Sequence, residues 1–199
     1  MFKIVCVTDR KSCKEDLLTR IEKIAAAKPD RIMFRDKECN DKEYVKFAMK
    51  VLEIGSKYGV PCSMYFHPEI FSDIHRTMPM LQHIPLSEMN RCRFVGVSVH
   101  SVEEAIEAER QGADYVTAGH IFETSCKPDL APRGLDFLRK VCQSVKIPVY
   151  AIGGINADNI KSIAEAGAGG ACIMSGFMTC DDPAEFIKAL RKGAETNEF

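Results

Sequence analysis

Short apolar runs alternate with amphipathic segments from one end of the chain to the other. Ile4 to Thr8 has the apolar, β-branched character of a buried strand, and Lys14 to Ala27 places apolar residues on one face of a helix. Eight such strand-and-helix units follow one another with short connections, which favours parallel strands joined by helices. We therefore predict an α/β fold, a compact (β/α)8 TIM barrel forming a single domain over residues 1–199. An open flavodoxin-like sheet is the alternative.

The other predicted elements keep this order. Further strands are predicted at residues 31–35, 60–66, 81–85, 94–99, 113–118, 147–152 and 170–174. Further helices are predicted at residues 41–57, 69–76, 101–110, 135–144 and 157–166, and residues 86–93 are too few for a full helix. Ser101-Val102-Glu103-Glu104 has the pattern of a capping box, and Asp182-Pro183 is typical of the start of a final helix.

The composition limits the classes of partner. A formal net charge of -1 provides no single-sign field, so we expect neither a nucleic-acid nor a membrane-surface partner. The apolar runs are too short to span a bilayer, and the first residues lack the pattern of a signal peptide. We expect a cytoplasmic protein.

The nine cysteines predict neither a disulfide framework nor a metal site. Their number is odd and none forms a Cys-x-x-Cys pair, so we interpret them as reduced thiols that pack as small apolar groups. His67 and His83 lack ligand-like spacing to each other or to Asp73 and Glu88, and no metal is predicted.

Polar side chains cluster where predicted strands end. The segment from Gly119 to Lys127 follows the sixth strand and contains His120, whose imidazole titrates near neutrality and suits acid–base chemistry. Because a barrel places its active site at the carboxyl ends of its strands, these exits should share one opening. The other candidate side chains there are Arg35, Lys37, His100, Thr124 and Lys127. Alternatives without a role in function stay open: Arg35 and Lys37 in a solvated turn, His100 as a hydrogen-bonded support, and Lys127 as a surface lysine.

Two small loops predict a phosphate site. Gly153 and Gly154 follow the seventh strand, and Ser175 and Gly176 follow the eighth. Backbone N–H groups in such loops bind phosphate in many barrels. The alternative is that tight turns after strands need glycine for conformational reasons alone.

A series of motifs, densest between residues 97 and 176, carries a family resemblance. They are Ser98-Val99-His100-Ser101, Ala113-Asp114-Tyr115-Val116, Gly119-His120-Ile121-Phe122-Glu123-Thr124, Cys126-Lys127, Arg133-Gly134, Ile147-Pro148-Val149, Ala151-Ile152-Gly153-Gly154-Ile155 and Met174-Ser175-Gly176. In this order they resemble the thiamine phosphate synthase/TenI superfamily. One branch joins a hydroxymethylpyrimidine diphosphate to a thiazole phosphate with magnesium, and the TenI branch isomerises a carboxylated thiazole phosphate to its aromatic tautomer.

Departures from the synthase pattern favour the TenI branch in this comparison. The segment Met64-Tyr65-Phe66-His67-Pro68 lacks the acidic magnesium ligands that the resemblance leads us to expect, and Met33 stands where a glutamine is usual. Gly119-His120 replaces the synthase's Gly-Pro. The resemblance therefore implies a thiazole tautomerase with His120 as acid–base and without a cofactor. The alternatives are thiamine phosphate synthase itself and a non-catalytic thiazole-phosphate-binding or regulatory protein.

The resemblance also implies the partner. It is a small phosphorylated thiazole, with its phosphate at the Gly153-Gly154 and Ser175-Gly176 loops and with Lys127 or Arg35 facing its carboxylate. The segment Pro128-Asp129-Leu130-Ala131-Pro132 is predicted to form a flap over the site. Members of the superfamily are often oligomeric, so a homo-oligomer stays open.

Overall fold

The computed structural model describes residues 1–65, 82–84 and 95–195. Eight strands lie in these ranges: β1 Lys3–Val7, β2 Arg31–Phe34, β3 Cys62–Tyr65, β4 Gln82–Ile84, β5 Val95–Val99, β6 Tyr115–Gly119, β7 Val149–Ile152 and β8 Gly170–Ile173. The α-helices are α1 Leu17–Ala26, α2 Asp41–Tyr58, α3 Val102–Arg110, α4 Gly134–Ser144, α5 Ile160–Glu165, α6 Ser175–Thr179 and α7 Pro183–Ala194. A 3-10 turn at Arg10–Ser12 follows β1.

All strand pairs are parallel and follow chain order. Each strand pairs with the next, and β8 pairs with β1 through Lys3↔Gly170 to Cys6↔Ile173, so the series of strand pairs closes. The predicted α/β fold with a curled parallel sheet is confirmed. The full (β/α)8 alternation stays a prediction, because the connections that follow β3 and β4 lie outside the described residues.

Local sequence signals account for several helix ends. Asn40 and Glu43 form a reciprocal capping box at the start of α2, and Gly59 ends that helix with φ 68°. At α3 the Ser101 hydroxyl accepts the N–H of Glu104, as predicted. The Glu104 carboxylate, however, accepts the N–H of His100 and not that of Ser101, so the predicted box is displaced by one residue.

The sheet separates two groups of buried side chains. Along β1, Ile4 and Cys6 belong to the large core shared with the helices, whereas Val5 and Val7 belong to a second cluster with Met33 and Cys172. Successive strand residues point to opposite faces, so the second cluster lies on the concave face of the curled sheet. That face underlies the cavity described below.

Two short elements were missing from the sequence prediction, the 3-10 turn after β1 and α6 after β8. The predicted helix at 69–76 and the segment 86–93 lie outside the described residues. Within the described ranges, no helix is long and apolar enough to cross a membrane. The cysteines described there are free thiols.

Candidate active site

A cavity of about 350 Å³ lies at the carboxyl ends of the strands. Nine of the ten predicted site residues line it: Arg35, Lys37, His100, His120, Thr124, Lys127, Gly153, Gly154 and Ser175. The tenth, Gly176, lies next to Ser175 in α6, where a Cβ would lie 2.6 Å from the Phe186 ring. Its position serves helix packing against α7. The sequence prediction of one shared opening therefore agrees with the geometry, while the role of each residue stays a prediction.

His120 is buried at the edge of this cavity, with 5% of its surface exposed. Its Nε2 lies 3.1 Å from the carbonyl oxygen of Leu130, ten residues further along the chain. A carbonyl oxygen only accepts, so Nε2 carries the proton in this hydrogen bond. The imidazole therefore connects the exit of β6 to the segment 128–132.

Backbone hydrogen bonds hold the residues on both sides of His120. The N–H of Ile121 donates to Ile152 at 2.9 Å, and that of Phe122 donates to Gly153 at 3.1 Å. From the other side, the N–H of Arg133 donates to the His120 carbonyl at 2.9 Å, and Arg133 Nε donates to Gly119 at 3.1 Å. The β6 exit is thus fixed between β7 and the start of α4.

Gly153 and Gly154 are required by conformation and by space. Their φ angles are 103° and 65°, in the region that favours glycine. A Cβ on Gly153 would lie 2.9 Å from His120 Cα, and one on Gly154 would lie 2.8 Å from Phe122 Cβ. The two glycines therefore let the β6 and β7 exits approach closely, which does not depend on phosphate binding.

Arg35 extends from the end of β2 into the cavity. Its Nη1 lies 2.8 Å from Asp9 Oδ1, and both side chains are 18% exposed. The buried Thr8 hydroxyl donates to the Arg35 carbonyl at 2.8 Å and accepts its N–H at 2.9 Å. The guanidinium also lies 5.8 Å from the Tyr65 ring centre. Arg35 is therefore a positioned cation, whereas Lys37 is an exposed one at the rim.

Asp36, between these two cations, has a fully buried carboxylate that pairs with Arg10 at 2.7 Å. Burial raises the pKa of Asp36, but hydrogen bonds from Arg10, the Cys39 thiol and the Glu38 N–H outweigh it, and the pKa lies below its ordinary value. Of these three consecutive residues, Arg35 and Lys37 line the cavity, whereas the carboxylate of Asp36 lies away from it.

Whether His100 binds substrate or only supports the site stays a prediction. His100 lines the cavity and is partly exposed, with its Nδ1 3.4 Å from Glu104 Oε2. The segment after β6 supplies Thr124, Cys126 and Lys127. The Thr124 hydroxyl accepts the Cys126 N–H at 3.3 Å, and the Thr124 carbonyl accepts the Lys127 N–H at 3.1 Å. This turn presents Lys127 at the mouth.

The sequence prediction missed the cavity floor. Its side chains lie two residues before a predicted exit residue on the same strand: Met33 before Arg35, Ser98 before His100, and Thr117 before Gly119. The two-residue period of a strand gives positions i and i−2 the same face, so this signal was present in the sequence. Val7 and Cys172 complete the floor from β1 and β8.

The superfamily resemblance raises the question of a magnesium site. In the described parts of the chain, no three His, Cys, Asp or Glu side chains are arranged to hold a metal ion. Asp9 and Asp36 are each ion-paired with an arginine. Glu88 and Asp73 lie outside the described residues. The described residues therefore do not fit a three-ligand metal site.

Named relatives match this chain over most of their length. It is 35% identical over 187 residues to a thiamine-phosphate synthase of Clostridium acetobutylicum, covering 89% of this chain and 88% of that one. It is 38% identical to a thiamine-phosphate synthase of Caldivirga maquilingensis, covering 81% of each. A solved structure of thiamine phosphate pyrophosphorylase from Pyrococcus furiosus superposes with a TM-score of 0.82 at 29% identity, covering 97% and 95%.

These relatives contradict the predicted thiazole tautomerase. That prediction depended on Gly119-His120 in place of Gly-Pro and on missing carboxylates after β3, yet the relatives carry the name of the synthase. The structure also gives His120 a contact with Leu130 that needs no proton transfer. The segment from Phe66 to Pro68, which was part of the basis of that prediction, lies outside the described residues. The predicted tautomerase function is therefore wrong, while the predicted catalytic role of His120 is not tested by these comparisons.

The family itself is shown by a match along most of the chain. The family model described as thiamine monophosphate synthase matches residues 4–177. This range contains every residue that lines the cavity, from Val7 to Ser175. The chain belongs to the thiamine monophosphate synthase family.

Proposed function

We propose that the protein is a thiamine-phosphate synthase, a transferase that joins a hydroxymethylpyrimidine diphosphate to a thiazole phosphate on a compact single-domain (β/α)8 barrel. The observation that carries this proposal is the 35% identity to a named synthase over 89% of this chain and 88% of that one. The family match over residues 4–177 contains the described residues that line the cavity and not only the scaffold. In the reaction, the carbon–oxygen bond to the diphosphate breaks, a bond to the thiazole nitrogen forms, and pyrophosphate leaves.

The charges around the cavity support binding of two phosphorylated substrates. Arg35 and Lys37 reach it from β2, and Lys127 reaches it from the segment after β6. Both substrates are anions, and cations that line a concave site bind such groups more strongly than exposed cations do. We assign Arg35 and Lys37 to the diphosphate and Lys127 to the rim of the same opening.

The two small loops support a site for the second phosphate. Gly153, Gly154 and Ser175 line the cavity from the β7 and β8 exits. The first N–H groups of a helix have no intrahelical partner, so Ser175, the first residue of α6, presents a backbone donor to this region. We assign the thiazole phosphate to these loops.

His120 receives a positioning role in this proposal. Its hydrogen bond to Leu130 holds the segment 128–132 next to Thr124 and Lys127. In this position the segment reduces the access of water to the cavity. The apolar floor, with Val7, Met33 and Ile152, surrounds the reacting centre from below. Exclusion of water favours transfer to the thiazole over hydrolysis of the diphosphate. No step is assigned to a metal, because the described residues do not fit a three-ligand site.

The test is an assay of thiamine phosphate formation from the two substrates in buffer containing magnesium. Wild-type protein should form the product. Arg35→Met should lower kcat/KM at least about tenfold, since it removes a positioned cation worth about 1.5–3 kcal/mol. Lys188→Met, on the exposed face of α7, removes a charge of the same sign and should have no effect. Absence of product with the wild-type protein would end the proposal.

A further inference from the structure

The cavity narrows to a floor made by side chains on the concave face of the sheet. Val7, Met33 and Cys172 form a buried cluster there, and Ile152 packs against it. These groups offer two apolar side chains, a thioether and a thiol, which hydrogen-bond weakly or not at all. Thr117 on β6 lines the same cavity and is 3% exposed.

Two hydroxyls lie on this floor, that of Ser98, which is exposed, and that of Thr117, which is buried. The Oγ1 of Thr117 is buried without a nitrogen or oxygen partner, and no other cavity-lining residue in the described part of the chain has a buried side-chain nitrogen or oxygen in that state. Among the described residues, the one group that the hydroxyl contacts is the Cys172 thiol, and this contact compensates little: burial raises the pKa of the thiol to about 12, so it stays protonated, and a thiol hydrogen-bonds only weakly. A buried hydroxyl without a partner is unfavourable in the free protein.

An apolar residue would fit the buried position of Thr117 on β6. Thr117 lies between Ser98 on β5 and Tyr150 on β7 in the sheet register. Valine has the same shape as threonine and would bury no polar atom, so nothing in the packing calls for the hydroxyl. The hydroxyl instead faces a cavity that is open to a ligand from the mouth, so a ligand atom can supply the missing partner.

The proposed reaction has two ring-containing substrates, and its chemistry indicates which of the two rings accepts a hydrogen bond from Thr117. The thiazole nitrogen must have a free lone pair to form the new bond, so a hydrogen bond to it would oppose the reaction. The pyrimidine nitrogens form no bond in the reaction. Arg35 and Lys37 line the cavity together with the floor residues. If the diphosphate binds to these two cations, as proposed above, the pyrimidine ring is the part of that substrate that extends toward the floor.

We propose that Thr117 is a specificity-determining residue whose hydroxyl donates a hydrogen bond to a ring nitrogen of the pyrimidine substrate at the cavity floor. This inference rests on the proposed synthase function. The Thr117 hydroxyl donates this hydrogen bond only when the bound ring has an acceptor on the edge that faces the cavity floor. Rings of the same size without that acceptor leave it unsatisfied and bind more weakly.

Calorimetric titration with hydroxymethylpyrimidine diphosphate, without thiazole phosphate, tests this contact without turnover. Thr117→Val should weaken binding about 5- to 10-fold, the loss expected for one hydrogen bond. Thr117→Ser keeps the hydroxyl and should bind within about twofold of wild type. Inorganic pyrophosphate serves as the control ligand, and its Kd should be the same for wild type and Thr117→Val. The melting temperature of Thr117→Val should equal or exceed that of wild type, because the substitution removes an unsatisfied polar atom.

Several results would overturn the inference. One is equal affinity of wild type and Thr117→Val for the pyrimidine diphosphate, and another is an equal loss for pyrophosphate. A third is an equal loss of affinity for the pyrimidine diphosphate in Thr117→Ser, because the effect would then come from packing and not from the hydroxyl. If wild type makes no thiamine phosphate but the calorimetric pattern holds, the synthase proposal fails and the pyrimidine contact stands. If wild type turns over and Thr117→Val binds normally, only the contact fails.

Discussion

His120 Nε2 lies 3.1 Å from the Leu130 carbonyl oxygen, which joins the β6 exit to the middle of the segment 128–132. Leu130 itself is 60% exposed, so its side chain does little to hold this segment in place. The hydrogen bond from a buried imidazole is therefore a main attachment of the segment.

His120→Phe should loosen residues 128–132. The substitution keeps an aromatic ring and removes a hydrogen bond worth about 1 kcal/mol. Amide hydrogen exchange of Asp129, Leu130 and Ala131 should become about fivefold faster, whereas exchange within β6 should not change. His100→Phe is the matched control, since His100 contacts Glu104 and not this segment. Unchanged exchange at Leu130 in His120→Phe would refute the attachment.

Gly153→Ala should be more destabilising than a glycine replacement in open space. Both Gly153 and Gly112 have positive φ, 103° and 92°, so alanine is strained by about 1–2 kcal/mol at either position. Only at Gly153 does the new Cβ meet a neighbour, His120, whereas nothing lies within 4 Å at Gly112. Overpacking there should add about 1–3 kcal/mol. Urea unfolding of the two variants measures the difference, and equal losses would contradict the close approach.

Asp36→Asn should change the acid dependence of stability. The folded-state pKa of Asp36 lies below its ordinary value, because bonds from Arg10 and other donors outweigh the effect of burial. A group with a lowered pKa contributes stability above its unfolded pKa, about 3.9, and this contribution is lost as the pH falls through the folded value.

The free energy of unfolding of Asp36→Asn should thus be about 1.5–3 kcal/mol below wild type at pH 7, and this difference should begin to shrink below about pH 4 and go on shrinking as the pH falls through the folded pKa. Asp136→Asn, which removes a carboxylate that is 89% exposed, should stay within about 0.5 kcal/mol of wild type throughout. A gap between wild type and Asp36→Asn that persists unchanged to pH 3 would count against the ionic contribution.

Much of the fold could be predicted because local signals agree with tertiary structure. The predicted helix at 41–57 is α2, Asp41–Tyr58, since its apolar spacing, its cap at Asn40 and its end at Gly59 all point the same way. The helix α6, Ser175–Thr179, was missed because it is five residues long and has no side-chain cap. Such a segment carries no periodicity to detect.

The candidate site was easier to predict at its rim than at its floor. Charged and glycine residues at strand ends, such as Arg35 and Gly153, stand out in sequence. Thr117 and Cys172 lie in uniformly buried strands, where no apolar–polar alternation marks the face, and only counting back from the strand exit indicates it. The Leu130 contact of His120 could not be read from sequence either, because it depends on how the segment 128–132 folds back.

The most direct test of the central claim is the stoichiometry of the reaction. Purified wild-type protein, given both substrates and magnesium, should convert them to thiamine phosphate and pyrophosphate in a one-to-one ratio, with neither product formed when the thiazole phosphate is omitted. Pyrophosphate release without thiamine phosphate, or no consumption of the pyrimidine diphosphate at all, would contradict the assignment as a synthase.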